Sequence, residues 1–141
     1  FDADTADSNE DYQKLKELRG YKNEDCVALT RQSFPNFDEK TESFYKEHMH
    51  TNDEVRFICD GSGYFDVKCV GSDKWIRIET VKNDLLIVPR GIYHRFTLDT
   101  NEYIKVRRLS TESLSSSPIH RPEGDTHPTR LQYLRDMGVK A

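Results

Sequence analysis

The sequence lacks the marks of several protein classes. Its three cysteines, Cys26, Cys59 and Cys69, are odd in number and form no CxxC pair. That excludes a disulfide framework and points to a reduced, intracellular protein. Each thiol is expected to behave as a small buried apolar residue. No stretch approaches the roughly 18 apolar residues that a membrane span needs, and no secretory signal is visible. Positive charge is not in excess: 21 Lys and Arg stand against 25 Asp and Glu, for a formal net charge of −4. A nucleic-acid binder presents a basic face, so no such partner is expected. The chain opens on Phe1 rather than Met, and a native N-terminal segment is expected to be missing. No internal repeat or targeting motif breaks the pattern.

What is present suits a folded domain. The 141 residues include 7 Tyr, 7 Phe and 1 Trp, more aromatics than a disordered chain carries. A chain of this length can bury a useful core without disulfides or a second copy. We expect a single domain over 1–141, a monomer, with a helical part at 1–45, β-strands at 46–110, and a loop and helix at 111–141. A first helix is expected after a cap at Ser8 or Asn9, with Tyr12, Leu15 and Leu18 inward and Gly20 as its stop. A second is expected from about Glu24 after Asn23, with Cys26, Val27 and Leu29 inward. A third fits DEKTESFYKE after Pro35, with Phe44 and Tyr45 at its end. From Val55 the pattern changes to short β-rich runs, VRFIC, GYFDVKC, KWIRIET, DLLIVP, YHRFTL and EYIKVRRL. The turn signals DGSG, VGSD, VKND, PRG and DTNE separate them. Strands at this spacing predict an all-β barrel or sandwich. TESLSSSPIHRPEGDTHP reads as a loop, and a last helix is expected from Pro128 to Met137, with Leu131, Leu134 and Met137 on one face.

The segment His48-Met49-His50-Thr51-Asn52-Asp53-Glu54 carries the strongest chemical signal. On an extended strand, residues two apart share a face, so His48 and His50 can reach one ion. Glu54 has the same parity and can join them after a turn. Imidazole plus carboxylate suits iron, nickel, manganese or zinc and disfavours calcium or magnesium. A second element, Pro89-Arg90-Gly91-Ile92-Tyr93-His94, ends an apolar run and opens a strand. Parity puts His94 with Phe96 and Leu98 on the apolar, inward face. A lone inward histidine is ordinarily a satisfied core residue; three histidines and a glutamate in two strand-linked motifs point instead to a metal. Glu47 and Asp53 flank the candidate ligands, and read equally as partners for the imidazoles or as plainly exposed acids. His120 and His127 read as surface or capping residues.

Two arginines extend the constellation. Arg56 shares parity with Glu54 and should line the same cavity. In EYIKVRRL, Ile104, Val106 and Arg108 fall on one face and Tyr103, Lys105 and Arg107 on the other. The branched aliphatics mark the inward face, so Arg108 ranks above Arg107 as an anion-binding residue. An inward arginine is costly unless paired or used.

These residues carry a resemblance. HMHTNDE followed by six residues and Gly61 is similar to the first cupin motif, and P-x-G-x-x-H at 89–94 to the second. More narrowly, EHMHTNDEVRFICDGSGYFDV, WIRI, PRGIYHRFTLD and RRL resemble the acireductone dioxygenases of the eukaryotic type over essentially the whole chain. The resemblance implies a mainly β fold, a cupin jelly-roll barrel with peripheral N-terminal helices and a C-terminal helix. It implies His48, His50, Glu54 and His94 as ligands of one Fe(II) or Ni(II) per chain. It implies Arg56 and Arg108 as catalytic contacts to substrate oxygens, and Phe44 packing on the substrate. The implied reaction is cleavage of acireductone, an enediol beside a ketone with a methylthio tail, by O₂ in methionine salvage. The iron form would release formate and the keto-acid precursor of methionine, the nickel form carbon monoxide, formate and a shorter acid. A cytoplasmic and nuclear location would follow. The chain departs from the pattern at Glu42 and Asn83, where cupin motifs expect Gly. It departs again at Arg-Leu-Ser 108–110 and the segment up to His120, where the family has a Gly-Glu-Pro-type stretch ending in Asn-Arg-Pro. A further N-terminal strand usual in the family is absent, which would uncover one barrel edge. Two rivals stay open: another cupin enzyme, and a diverged cupin kept as a binding or regulatory module.

Overall fold

The computed structural model describes residues 1–112 and 117–139, so residues 113–116 of the expected loop lie outside the described residues. The chain enters with a 3₁₀ segment at Ala3–Ser8 and helix α1, Glu10–Arg19. The Asn9 side chain caps α1 by accepting from the Tyr12 backbone N–H, and Gly20 closes it with a left-handed φ of 69°. Tyr12 is its one buried residue, while Leu18, expected inward, is exposed.

The expected second helix is a strand. β1, Asn23–Thr30, pairs antiparallel with β7, Tyr103–Ser110. Its burial alternates with period two: Asp25, Val27 and Leu29 turn inward, while Cys26 and Ala28 are exposed. Cys26 is therefore not the buried apolar residue expected of it; Cys59 and Cys69 are half-buried. The helical part proposed for 1–45 thus contains a sheet strand. The third helix forms as α2, Phe37–Phe44.

β2, His48–Met49, and β3, Glu54–Lys68, follow. β3 is continuous through DGSG, which was expected to turn. A register shift between Ile58 and Asp60 and a φ of 74° at Gly61 bend the strand without reversing it. A Cβ at Gly61 would lie 2.3 Å from the Tyr103 carbonyl oxygen, so only glycine fits this corner. Before the bend β3 pairs with β7 and with β5, Leu85–Val88; after it, with β4, Trp75–Val81, and β6, His94–Leu98. β3 therefore belongs to two sheets, and a last short strand, β8 at Ile119–His120, flanks β2. The eight strands run β1-β7-β3-β6-β2-β8, with β4 and β5 also on β3. This is a jelly-roll layout whose path, among the described residues, does not close on itself.

The core lies on both faces. Leu29, Ile58 and Ile104 pack with Phe37 between the sheets. Val55, Phe57 and Leu109 face outward and are covered by Ala3, Ala6, Tyr12 and Tyr21. Asn83 takes a φ of 82°, the conformation for which a cupin motif supplies Gly, and its Oδ1 accepts the Ala3 N–H at 2.8 Å. Helix α3, Pro128–Asp136, buries Arg130 and Tyr133, while Met137, expected inward, is exposed.

Candidate metal centre

The two motifs are brought together by the sheet. His48 of β2 lies directly opposite His94 of β6 on one side and His120 of β8 on the other. Residues facing across an antiparallel ladder share a face, so the three imidazoles form a row. His50 follows immediately. The ring centres of His48 and His94 are 4.5 Å apart, His48 and His50 5.1 Å, and His50 and His94 5.4 Å. Ligating atoms of His48, His50 and His94 all lie within 4.8 Å of one another. Two backbone hydrogen bonds fasten the motifs to each other. The Gly91 N–H donates to the His50 carbonyl at 3.1 Å, and the Arg90 N–H to Asp53 Oδ1 at 2.9 Å.

Glu54 opens β3 with one carboxylate oxygen turned to His94. Its Oε2 lies 2.6 Å from His94 Nε2, and its Oε1 2.6 Å from Arg56 Nη2. His94 Nδ1 faces the Ile92 carbonyl at 3.0 Å, and His48 Nδ1 faces the Lys46 carbonyl at 2.6 Å. A carbonyl only accepts, so each Nδ1 carries the hydrogen and each Nε2 presents a lone pair inward. His94 Nε2 and Glu54 Oε2 are both buried without a hydrogen-bond partner among the described residues. Two buried lone pairs aimed at each other need either a proton or a cation between them. The donor set, three imidazoles and a carboxylate, fits a divalent transition metal.

Charge follows the same geometry. Burial, helped by His94, lowers His48 to about 4, and burial lowers His50 as well. Both are thereby held neutral and ready to ligate. Burial also acts to lower His94, but the Glu54 carboxylate beside it outweighs that and its pKa is raised. For Glu54, burial acts upward, yet Arg56 and His94 hold it well below the usual carboxylate range.

Arg56 and Arg108 lie where parity put them, facing each other across β3 and β7. Arg107 points to the outer face, paired with Asp7 at 2.6 Å and Glu24 at 3.0 Å. Arg108 is held bidentately by Asp25, with Nε to Oδ1 at 2.8 Å and Nη2 to Oδ2. That bond raises Arg108 and lowers Asp25. Both arginines, with Phe44, His48 and Glu54, line a cavity of about 280 Å³. The same five residues border an apolar chamber of about 180 Å³ behind it, walled by Leu29, Phe65, Phe96, Ile104 and Val106. The cluster thus borders both a mixed polar and apolar cavity and an apolar chamber.

Other flanking residues differ from expectation. Glu47 pairs with Lys68 at 3.3 Å and Arg121 at 3.4 Å, and Asp53 with the Arg90 backbone. The backbone carbonyls of Lys46 and Ile92 orient the imidazoles instead. His127 caps α3, as expected, by accepting from the Thr129 N–H, whereas His120 is half-buried with its ring centre 5.9 Å from that of His48. Sequence reasoning missed Asp25, and also Lys40 and Ser43, which α2 brings to the cavity rim. Spacing of four before Phe44 on a helix was the available signal for Lys40, and Ser43 carried none.

The model of the ARD/ARD' family matches residues 1–117. An acireductone dioxygenase of Ciona intestinalis is 52% identical over 138 residues, 95% of this chain and 74% of that protein. One of Ixodes scapularis is 45% identical over 137 residues, 97% of this chain and 74% of that protein. Among solved structures, an acireductone dioxygenase from Bacillus anthracis with a cadmium ion in its active centre superposes with a TM-score of 0.71 at 33% identity. It covers 82% of this chain, and the match spans 66% of the bacterial protein. A TDP-quinovose 3,4-ketoisomerase from Campylobacter jejuni, at TM-score 0.51, 15% identity and coverage of 72% and 71%, shares the fold alone.

Proposed function

The chain belongs to the ARD/ARD' family, and from that premise we infer its function: it is an acireductone dioxygenase. It cleaves the enediol with O₂ and releases formate and the keto-acid precursor of methionine, a step of methionine salvage. We assign one iron or nickel ion per chain to His48, His50, Glu54 and His94. The observation that carries this reading is the 2.6 Å approach of two buried lone pairs, on His94 Nε2 and Glu54 Oε2, beside two neutral imidazoles. When bound, the ion supplies Lewis-acid polarisation and a template for two vicinal substrate oxygens.

The remaining chemistry belongs to the chain. Arg56 and Arg108 stay protonated and present N–H donors to oxygens that become anionic, which favours the enediolate over the neutral enediol. Glu54 Oε1 holds Arg56 in place while Oε2 turns to His94. The apolar chamber accepts the methylthio tail and excludes water, which strengthens each charge interaction at its edge. Phe44, on the border of mouth and chamber, packs against the substrate. The protein is taken to act as a monomer, in the cytoplasm and nucleus, on a free small molecule.

The test is anaerobic loading of metal-free protein with iron(II) or nickel(II), followed by acireductone and air, with products identified. Formate and the keto acid are expected from the iron form, carbon monoxide from the nickel form. Failure to take up either metal would remove the ligand assignment. Uptake without acireductone consumption would leave a metal-binding cupin module in place of the enzyme.

A further inference from the structure

Two arginines side by side on one sheet face repel each other, and each is bonded by a carboxylate. Arg56 of β3 faces Arg108 of β7, and Arg108 in turn faces Asp25 of β1. Glu54 lies two residues before Arg56 and bonds it. Across the strands the row runs Asp25, Arg108, Arg56, and Glu54 closes it from along β3. Arg108 lines both the mouth and the chamber, whereas Asp25 reaches neither. The Asp25 carboxylate takes the Nε–Nη2 edge of Arg108 in a fork. Such a bidentate pair fixes the guanidinium plane as well as its position. Arg108 Nη1 has no partner among the described residues.

We propose that Asp25 is a positioning residue for the reaction: it holds one edge of Arg108 and leaves Nη1 aimed at the substrate enediolate. The proposal rests on the dioxygenase reading above. Without Asp25 the Arg108 side chain regains rotamer freedom that must be lost again whenever substrate is engaged. The carboxylate also offsets the repulsion from Arg56 that would otherwise push Arg108 out of the cavity.

The experiment is a double-mutant cycle in iron-loaded protein with Asp25→Ala, Asp25→Asn and Arg108→Ala. Asp25→Ala is expected to lower kcat/KM for acireductone about tenfold, the scale of reordering one rotamer-rich side chain, with iron content unchanged. Asp25→Asn keeps an oxygen for Nε and should fall between that variant and wild type. In the Arg108→Ala background Asp25→Ala should change kcat/KM by less than about twofold, because its effect runs through the missing arginine. An equal loss in both backgrounds would mark a merely structural role and overturn the proposal, as would no loss in either. A second readout needs no turnover. In zinc-loaded protein the Arg108 Nε–H should give a solvent-protected NMR signal that disappears in Asp25→Ala. A signal unchanged by the substitution overturns the proposal. If iron-loaded wild type leaves acireductone untouched, the dioxygenase reading fails, and the NMR arm still decides whether Asp25 orders Arg108.

Discussion

Acid should destabilise the metal-free protein through His48, with His50 acting in the same direction. Burial and the neighbouring His94 lower its folded pKa to about 4, against about 6.5 in an unfolded chain. Between those values the unfolded state holds a proton on this imidazole that the folded state does not. Stability therefore rises with pH across the window and is lost as pH falls from about 6.5 to about 4. A gap of about 2.5 units corresponds to about 3 kcal/mol, a large part of the roughly 5–15 kcal/mol that holds a domain folded. His94 has the opposite sign. Its folded pKa is raised by Glu54, so its contribution is present at low pH and is lost as pH rises through the folded value. His48→Gln removes the titration while keeping a side chain of similar reach. Urea unfolding of metal-free wild type and variant, from neutral pH to about 4, separates the two cases. Wild type should lose about 3 kcal/mol more than His48→Gln over that range. Parallel stability curves would refute the reasoning, because they would mean that burial at His48 does not penalise the proton.

Two further outcomes are expected. His94→Ala removes one of four donors and leaves Glu54 Oε2 without its partner, so iron retained after gel filtration, measured by mass spectrometry, should fall from one per chain to a small fraction; full retention would exclude His94 as a ligand. Gly61→Ala must fit a Cβ 2.3 Å from the Tyr103 carbonyl at a φ of 74°, and should lower stability by at least about 2 kcal/mol, read as a drop in Tm of several degrees; an unchanged Tm would mean that β3 does not depend on glycine at its corner.

The strands of the barrel were legible because each buries one face, and alternation survives in the sequence wherever the inner face is apolar. Ile104 and Val106 mark the inner face of β7 in this way, which is why Arg108 could be separated from Arg107. β1 was not legible for the same physical reason inverted. Its inward-parity positions begin with the polar Asn23 and the charged Asp25, and its outer face carries the small apolar Cys26 and Ala28, so the alternation is masked and helical spacing fits instead. At 60–63 the glycine signal was real, since Gly61 does adopt a left-handed conformation. Its meaning depends on the partners: β3 has strands on both sides before and after the bend, and a paired strand turns a corner where a free one would reverse.

The site divides along the same line. His48, His50, Glu54 and His94 could be read because their identities are rare together and their parity is local. The groups that hold them could not, because their partners are set by the fold. Glu47 and Asp53 sit next to the ligands in sequence, yet they bond Lys68, Arg121 and the Arg90 backbone, while plain carbonyls at Lys46 and Ile92 set the imidazoles. A backbone carbonyl leaves no trace in residue identity. Asp25 lies 83 positions from Arg108 and meets it only through the pairing of β1 with β7. Two inward arginines nonetheless implied that counter-charges had to exist. One, Glu54, was already among the proposed ligands; the charge on Arg108 then required another acid on a strand beside β7, and β1 supplies a single aspartate on its inner face.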